Sequence, residues 1–331
     1  MGNPALWDSL LALFIGVVVL PLAAVLTAVA AVAELACGAL ALCCGARRTV
    51  RGAPRDPAVV LITGASSGIG EALAHHYARP GRTLLLTGRR ADALNATVAA
   101  CQAKGATVRA LQNDVGTQAG RDALAAWLRT QPAQTPLDLA IANAGVDEKT
   151  CGAQNKADLA ETARNVFAVN VDGAIGTILA PIEAMRARGA GQVCIVSSLS
   201  AFGPLSGAEA YAASKACVKS FCESLRWRLA REGVAVNVAC PGYVETALTR
   251  AQTGISMSGM IGADAAAAAI ARGLANDDPV IVFPTGTFLM AYLSSVLPPV
   301  VRDFVARNRI FGGGVGYWKS KGASKAASKS S

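Results

Sequence analysis

The chain has 331 residues, of which 53% are hydrophobic and only 16% charged, and it carries a formal net charge of +9. A water-soluble globular domain is usually about 45–50% apolar with about a quarter of its residues charged, so part of this chain is built to avoid water. Nine cysteines, an odd number without a C-x-x-C pair, exclude a fully paired disulfide framework and a structural zinc site of the usual spacing.

The apolar excess begins at the N-terminus. Ser9 to Ala33 is a run of 25 residues without a charge, longer than the roughly 20 needed to cross the hydrocarbon core as a helix. Glu34 and Pro21 leave two forms open, a tilted span followed by an interfacial piece or a re-entrant hairpin. A cleaved signal peptide fits worse, because no Lys or Arg precedes the run and the run exceeds an h-region of about 7–15 residues. Arg47, Arg48, Arg51 and Arg55 follow the segment while only Asp8 precedes it. By the positive-inside tendency the bulk of the chain then faces the cytoplasm, at the endoplasmic reticulum in a eukaryote. Cys43 and Cys44, beside the basic flank, are either palmitoylation sites or small apolar residues at a helix end.

Arg47 to Pro57 (RRTVRGAPRDP) is basic and rich in turn residues, the composition of a boundary. Beyond it, short aliphatic runs alternate with helical patterns. The runs are Ala58 to Thr63, Thr83 to Thr87, Thr107 to Gln112, Leu137 to Ala142, Gln192 to Ser197, Val234 to Cys240 and Val280 to Phe283. Nearly continuous apolar strands of this kind are buried on both faces, and seven of them separated by helices predict one α/β domain with a doubly wound parallel sheet.

Ligands of such sheets bind beyond the carboxyl ends of the strands. The first run ends in Thr63-Gly64-Ala65-Ser66-Ser67-Gly68-Ile69-Gly70. Glycines at a strand-to-helix turn permit a tight bend and a close approach of backbone to a pyrophosphate, which the following helix N-terminus attracts. The spacing is G-x-x-x-G-x-G rather than G-x-G-x-x-G. In this form the loop resembles that of the short-chain dehydrogenase/reductase family, which reads T-G-x-x-x-G-x-G, and the rest of the family pattern follows in order. Asp114 stands after the third strand, where the family contacts adenine. Ala142-Asn143-Ala144-Gly145 stands after the fourth, where the family usually has N-N-A-G. Ala142 departs from the pattern and is expected to alter hydrogen bonding around that strand without abolishing cofactor binding. Asn170, Ser198, Tyr211 and Lys215 match the family's catalytic tetrad, and Pro241-Gly242-Tyr243-Val244-Glu245-Thr246 matches the segment near the nicotinamide. The resemblance spans about Val59 to Pro284 and implies a Rossmann-type fold.

An NAD site places a carboxylate about 20 residues beyond the glycines to bind the ribose 2′-OH, whereas a 2′-phosphate calls for Arg. The second run ends Thr87-Gly88-Arg89-Arg90, so NADPH is the expected cofactor, with Arg89 the better candidate of the two. Lys215 lies four residues after Tyr211, on the same helical face, where an ammonium is expected to lower the pKa of the phenol. The resemblance further implies that Lys215 holds the nicotinamide ribose, Ser198 binds the substrate carbonyl and Asn170 positions a relay water. Tyr211 would then protonate the oxygen as hydride reaches carbon. His75 and His76 are not expected to be catalytic, no metal site is visible, and no nucleic-acid partner is expected.

Ala247 to Gly262, rich in Gly, Ser and Met, suits a mobile apolar lid, with Ala201 to Glu209 opposite. Gly286 to Val301 is 16 uncharged residues broken by Pro298 and Pro299, either a membrane-dipping or substrate-covering helix or a docking helix. The expected organisation is an anchor over 1–46, a basic linker over 47–57, the dehydrogenase/reductase domain over 58–285, an apolar extension over 286–318 and a disordered basic tail over 319–331 that contacts anionic lipid. The expected activity interconverts carbonyl and alcohol on an apolar or lipid-like substrate of ketosphinganine, retinoid or steroid type. A silent NADPH-binding scaffold tethered to the bilayer is the alternative, and family habit implies a homodimer through the helices after the fourth and fifth strands.

Overall fold

The computed structural model describes residues 49–131, 135–152, 158–205, 207–246 and 260–308, together with residues 16, 17 and 21. The expected span apart from residues 16, 17 and 21, residues 247–259 of the expected lid and the basic tail lie outside the described residues. Residues Thr49–Ala291 of the described chain form one compact unit.

Seven parallel strands build its sheet: β1 (Val59–Thr63), β2 (Thr83–Gly88), β3 (Thr107–Gln112), β4 (Leu139–Ala142), β5 (Gly191–Val196), β6 (Val234–Pro241) and, after a short two-stranded pair β7 (Val244–Glu245) and β8 (Ile261–Gly262), β9 (Val280–Phe283). Their order in space is β3-β2-β1-β4-β5-β6-β9. The order reverses between β1 and β4, which opens a crevice at the carboxyl ends of those two strands. All seven expected strands form within two residues of their expected ends. β3 differs in burial, because its position at the sheet edge leaves most of its side chains accessible.

The period of two along each strand divides the core. Val60, Ile62, Leu84 and Leu86 face the helices α1 (Gly68–Tyr77) and α2 (Ala91–Ala103). Leu61, Leu85, Val193 and Val236 face the other side, covered by α3 (Gln118–Arg129), by α4 (Leu159–Phe167), α5 (Ala174–Leu179) and α6 (Ile182–Arg188), and by α7 (Glu209–Leu229). The first face is completed by α8 (Ala263–Ala275), whose Ile270 and Leu274 are buried against it. Burial of each such side chain stabilises by roughly 1.5–3 kcal/mol. Among the described residues one helical stretch, Leu159–Arg188, is long and apolar enough to cross a membrane, but half of it is buried within the domain. Val166, Ile178 and Met185 are nearly inaccessible there, so the stretch reads as a core helix.

Thr49–Pro57, read from composition as linker, is held against the domain. The Val50 N–H donates to buried Asp277 (2.8 Å), and the Gly52 carbonyl accepts from the Gly191 N–H (3.1 Å). Arg79 and Arg82 both donate to Asp56. Asp277 is further held by Arg226 and Asn237. At the other end, α9 (Thr285–Val296) and α10 (Pro299–Asn308) follow β9. The helical pattern of 286–301 is thus interrupted before Pro299, where a proline at the first helical position needs no intrahelical donor.

Candidate active site

The glycine loop leaves β1 at Gly64, whose φ of +67° lies in the left-handed region that favours glycine. Gly70 shows the second constraint: a Cβ there would overlap the Gly64 carbonyl oxygen and the Asn143 amide, so the start of α1 packs directly on the loop. Ser67 precedes α1 in extended conformation and its side chain makes no capping hydrogen bond. The N–H groups of a helix start without such a cap favour an anion. Ser66 packs against Gly88 at the end of β2, with its Oγ 3.0 Å from where a Cβ would stand. Gly68 packs on Thr246, which brings the Pro241-to-Thr246 segment to the same loop. Ile69 is partly buried against the core, and Val244 is buried beside Ile261.

At the end of β4, the Asn143 Nδ2 donates to the carbonyls of Thr63 (3.0 Å) and Gly64 (3.3 Å). The Thr63 hydroxyl accepts from the N–H groups of Asn143 and Ala144. These bonds join the two strand ends across the crevice. Ala142 contributes only a buried methyl to the core, so one asparagine and one threonine carry the cross-strand bonding here.

Beyond β2 and β3, Arg89, Gln112, Asn113 and Asp114 line a cleft of about 360 Å³. The Gln112 side chain donates to the Arg89 carbonyl (3.1 Å), and Arg89 is exposed. Arg90 reaches back to donate to the Ser66 carbonyl (3.2 Å). Asp114 accepts from the Gly116 N–H (2.9 Å). The glycine cradle and uncapped helix start together fit the pyrophosphate of a dinucleotide.

Asn170, Ser198, Tyr211 and Lys215 come from three different elements. Asn170 lies in a π-helical turn, Ala168–Gly173, between α4 and α5; such turns are rare and concentrate at functional sites. Its side chain accepts from the Val146 N–H (2.9 Å) and donates to the Val146 carbonyl (2.9 Å) and to the Ser214 hydroxyl (3.0 Å). Both amide hydrogens are therefore committed to the protein. Ser214 in turn donates to the Tyr211 carbonyl (2.7 Å). Ser198 follows β5 and caps the 3₁₀ turn Leu199–Phe202 by accepting from the Ser200 N–H (3.1 Å).

Tyr211 and Lys215 lie on α7, with the ammonium 5.5 Å from the centre of the phenol ring. Lys215 is buried, donates to the Val196 carbonyl (2.9 Å) and stands close to Gly145, where a Cβ would lie 3.3 Å from Nζ. Burial pushes the Lys215 ammonium down to about 8 and the Tyr211 phenol up to about 12, the Ser198 hydroxyl countering and Asp147 and Glu148 reinforcing the rise. The expected depression of the phenol by Lys215 is thus not what this arrangement does: desolvation dominates, and the two groups are driven toward their neutral forms.

One residue of this region was missed from sequence. The Glu148 Oε1 accepts the backbone N–H of Tyr211 itself (2.8 Å), a contact across 63 positions that satisfies an N-terminal donor of α7. Asp147 fixes the loop by accepting from Lys149 and Thr150. Burial raises the Glu148 pKa. No local pattern marks Glu148, because its partner is reached only through the fold.

Known proteins place the chain in a family. The family model for short chain dehydrogenase matches residues 58–254. The chain belongs to the short-chain dehydrogenase/reductase family. An oxidoreductase of Myxococcus xanthus is 37% identical over 249 residues, which cover 75% of this chain and 95% of the relative. A protein of Arabidopsis thaliana named 11-beta-hydroxysteroid dehydrogenase-like 2 is 30% identical over 252 residues, covering 73% and 79%. Among solved structures, a short-chain dehydrogenase from Sphingobium yanoikuyae in complex with NADPH superposes with a TM-score of 0.61 at 25% identity over 76% of this chain and 94% of that one. A member from Burkholderia phymatum in complex with NAD gives 0.63 at 27% identity, covering 71% and 92%. The chain is an NAD(P)-dependent short-chain dehydrogenase/reductase acting on CH–OH groups.

Proposed function

We propose that this enzyme is an NADPH-preferring reductase of apolar carbonyls, held at a membrane by residues 9–33. The observation that carries the cofactor preference is the end of β2, Thr87-Gly88-Arg89-Arg90, where no carboxylate follows the strand and Arg89 lines the cleft. A 2′-phosphate is matched by guanidinium and repelled by a carboxylate in that position.

A bound nicotinamide supplies hydride to the carbonyl carbon. Ser198 and Tyr211 hold the carbonyl oxygen, and the Tyr211 hydroxyl, neutral at pH 7, gives up its proton to it. Lys215 resupplies that proton and holds the ribose. Asn170 acts as a positioning residue, tying Val146 and Ser214 to the start of α7. Gly64, Ser66, Ser67, Gly68, Ile69 and Gly70 cradle the pyrophosphate. Asp114, Asn143, Ala144 and Gly145 border the adenosine and nicotinamide riboside, and Pro241, Gly242, Val244 and Thr246 border the nicotinamide.

The substrate reading rests on the wall next to Ser198. Phe202 packs edge-to-face on Phe288 of α9 at 5.2 Å between ring centres, an aromatic surface suited to a large apolar ketone. The steroid-type name of the Arabidopsis relative points the same way, and ketosphinganine or retinoid types fit the same wall. A silent scaffold is disfavoured by the presence of all four tetrad residues. Leu179 and Trp227, exposed on α5 and α7, support a homodimer through those helices. The proposed layout keeps the anchor over 1–46 and the extension over 286–318, with Thr49–Pro57 packed on the domain. The test is turnover of the purified full-length chain with NADPH and with NADH on steroid, sphingoid and retinoid carbonyls. Preference for NADPH with an apolar substrate supports the reading; equal use of NADH, or turnover of small polar ketones alone, contradicts it.

A further inference from the structure

The N-terminal ends of the strands, opposite the candidate active site, carry a second cavity of about 240 Å³, the volume of about eight waters. Arg55, Arg79, Arg82 and Arg272 line it, with Asp56 the sole carboxylate of the lining. Asp56 is shared between Arg79 and Arg82, while no ion pair joins Arg55 or Arg272 to a carboxylate among the described residues. The carboxyl ends of α1 and α8 also meet here, and each contributes roughly half a negative charge. Four guanidiniums against one carboxylate outweigh both. Arg82 is held in place, buried with its guanidinium 5.3 Å over the Tyr77 ring. After burial itself, the charges of Arg82, Arg272 and Lys104 are what depress the neighbouring His76, so the histidine stays neutral beside them.

A second, independent feature lies in the same wall. Gln192 is fully buried, and its Nε2 donates to the Asn237 side chain (2.8 Å) and the Leu274 carbonyl (2.9 Å). Its Oε1 is buried with no partner. An unsatisfied buried acceptor costs about 1–3 kcal/mol, so the cavity asks for a hydrogen-bond donor at its base and an anion at its rim. A phosphate group with a hydroxyl beside it meets both demands. We propose that this cavity binds a hydroxyl-bearing phosphate ester, carried either by a soluble polyol phosphate or by a phosphorylated lipid headgroup. The site lies at the opposite end of the sheet from the glycine loop and is independent of the redox reading.

The test uses the full chain in detergent micelles, saturated with NADPH so that the dinucleotide site does not compete for phosphate. Glycerol phosphate and dibutanoyl phosphatidylinositol phosphate are the probes, titrated calorimetrically, with glycerol and chloride as controls. At least one ester is expected to bind, and the double variant Arg55→Ala/Arg272→Ala to weaken it at least tenfold. NADPH affinity reports that each variant is folded, and Arg272→Gln alone serves if the double variant does not fold. Binding of glycerol phosphate assigns a soluble ligand, and binding of the inositol headgroup alone assigns a lipid. Failure of both probes, or equal binding by wild type and variant, overturns the proposal.

Discussion

Replacing Arg89 by Ala isolates the proposed recognition of the 2′-phosphate. The guanidinium belongs to an exposed residue at the mouth of the cleft beyond β2, and its neighbour Arg90 is partly engaged with the Ser66 carbonyl. A hydrogen bond to a charged group contributes about 1.5–3 kcal/mol, and water reduces the value toward its lower end at an exposed site. About 1.5 kcal/mol corresponds to roughly a tenfold weaker NADPH, with about 1.4 kcal/mol per decade. NADH, lacking the 2′-phosphate, should bind the variant and the wild type alike. Fluorescence titration of both cofactors at two salt concentrations measures this, and the wild-type preference should shrink as salt rises. Equal losses for NADPH and NADH would show that Arg89 acts on the fold of the loop rather than on the phosphate.

Three further outcomes follow from the same geometry. The folded-state pKa of Lys215 is about 8 against an ordinary 10.5, so at pH 7 the folded state carries the cost of a buried ammonium, and that cost fades as pH rises from about 8 to 10.5. Lys215→Met should therefore stabilise the domain by ~2 kcal/mol at pH 7 after loss of the bond to Val196, with the gain gone by about pH 9.5 and turned into a net loss near pH 10.5; denaturant melts at pH 7 and pH 10.5 check the sign. Glu148→Ala should lower kcat at least fivefold with little change in NADPH affinity, and Glu148→Gln, which keeps an acceptor for the Tyr211 N–H, should recover most of it while shifting the alkaline limb of the pH profile. Deletion of residues 1–48 should release a folded, NADPH-binding domain. Deletion of residues 1–57 should destabilise it measurably in thermal melts, since Val50 and Asp56 are then lost from their partners on Asp277, Arg79 and Arg82.

The parallel sheet was legible because its strands are apolar on both faces, and the candidate cofactor loop because it follows a strand end; of the candidate tetrad only Ser198 follows a strand, Asn170 lying in a π-helical turn and Tyr211 and Lys215 on α7. Tyr211 and Lys215 meet through helical periodicity alone. Other features depend on contacts that no local pattern encodes. Glu148 reaches Tyr211 through the packing of two distant loops. The π-helical turn around Asn170 has no compositional mark. Thr49–Pro57 has the composition of a linker, yet Asp277, more than 200 positions away, gives its backbone a buried acceptor. The pKa values reversed the sequence expectation for the same reason: proximity of Lys215 to Tyr211 could be inferred from spacing, but the desolvation that outweighs it belongs to the assembled core. The direction of the edge strand β3 was readable, whereas its exposure follows only from its place in the strand order.

The proton carried by Tyr211 is the centre of the account, and Tyr211→Phe tests it most directly. The substitution removes one hydroxyl and leaves the Tyr211 N–H on Glu148 and the ring beside Lys215. With the best carbonyl substrate at saturation, kcat should fall by about 10²–10⁴, while the dissociation constant of NADPH changes less than about twofold. A variant that retains more than about a tenth of wild-type kcat would place the proton donor elsewhere and contradict the assignment.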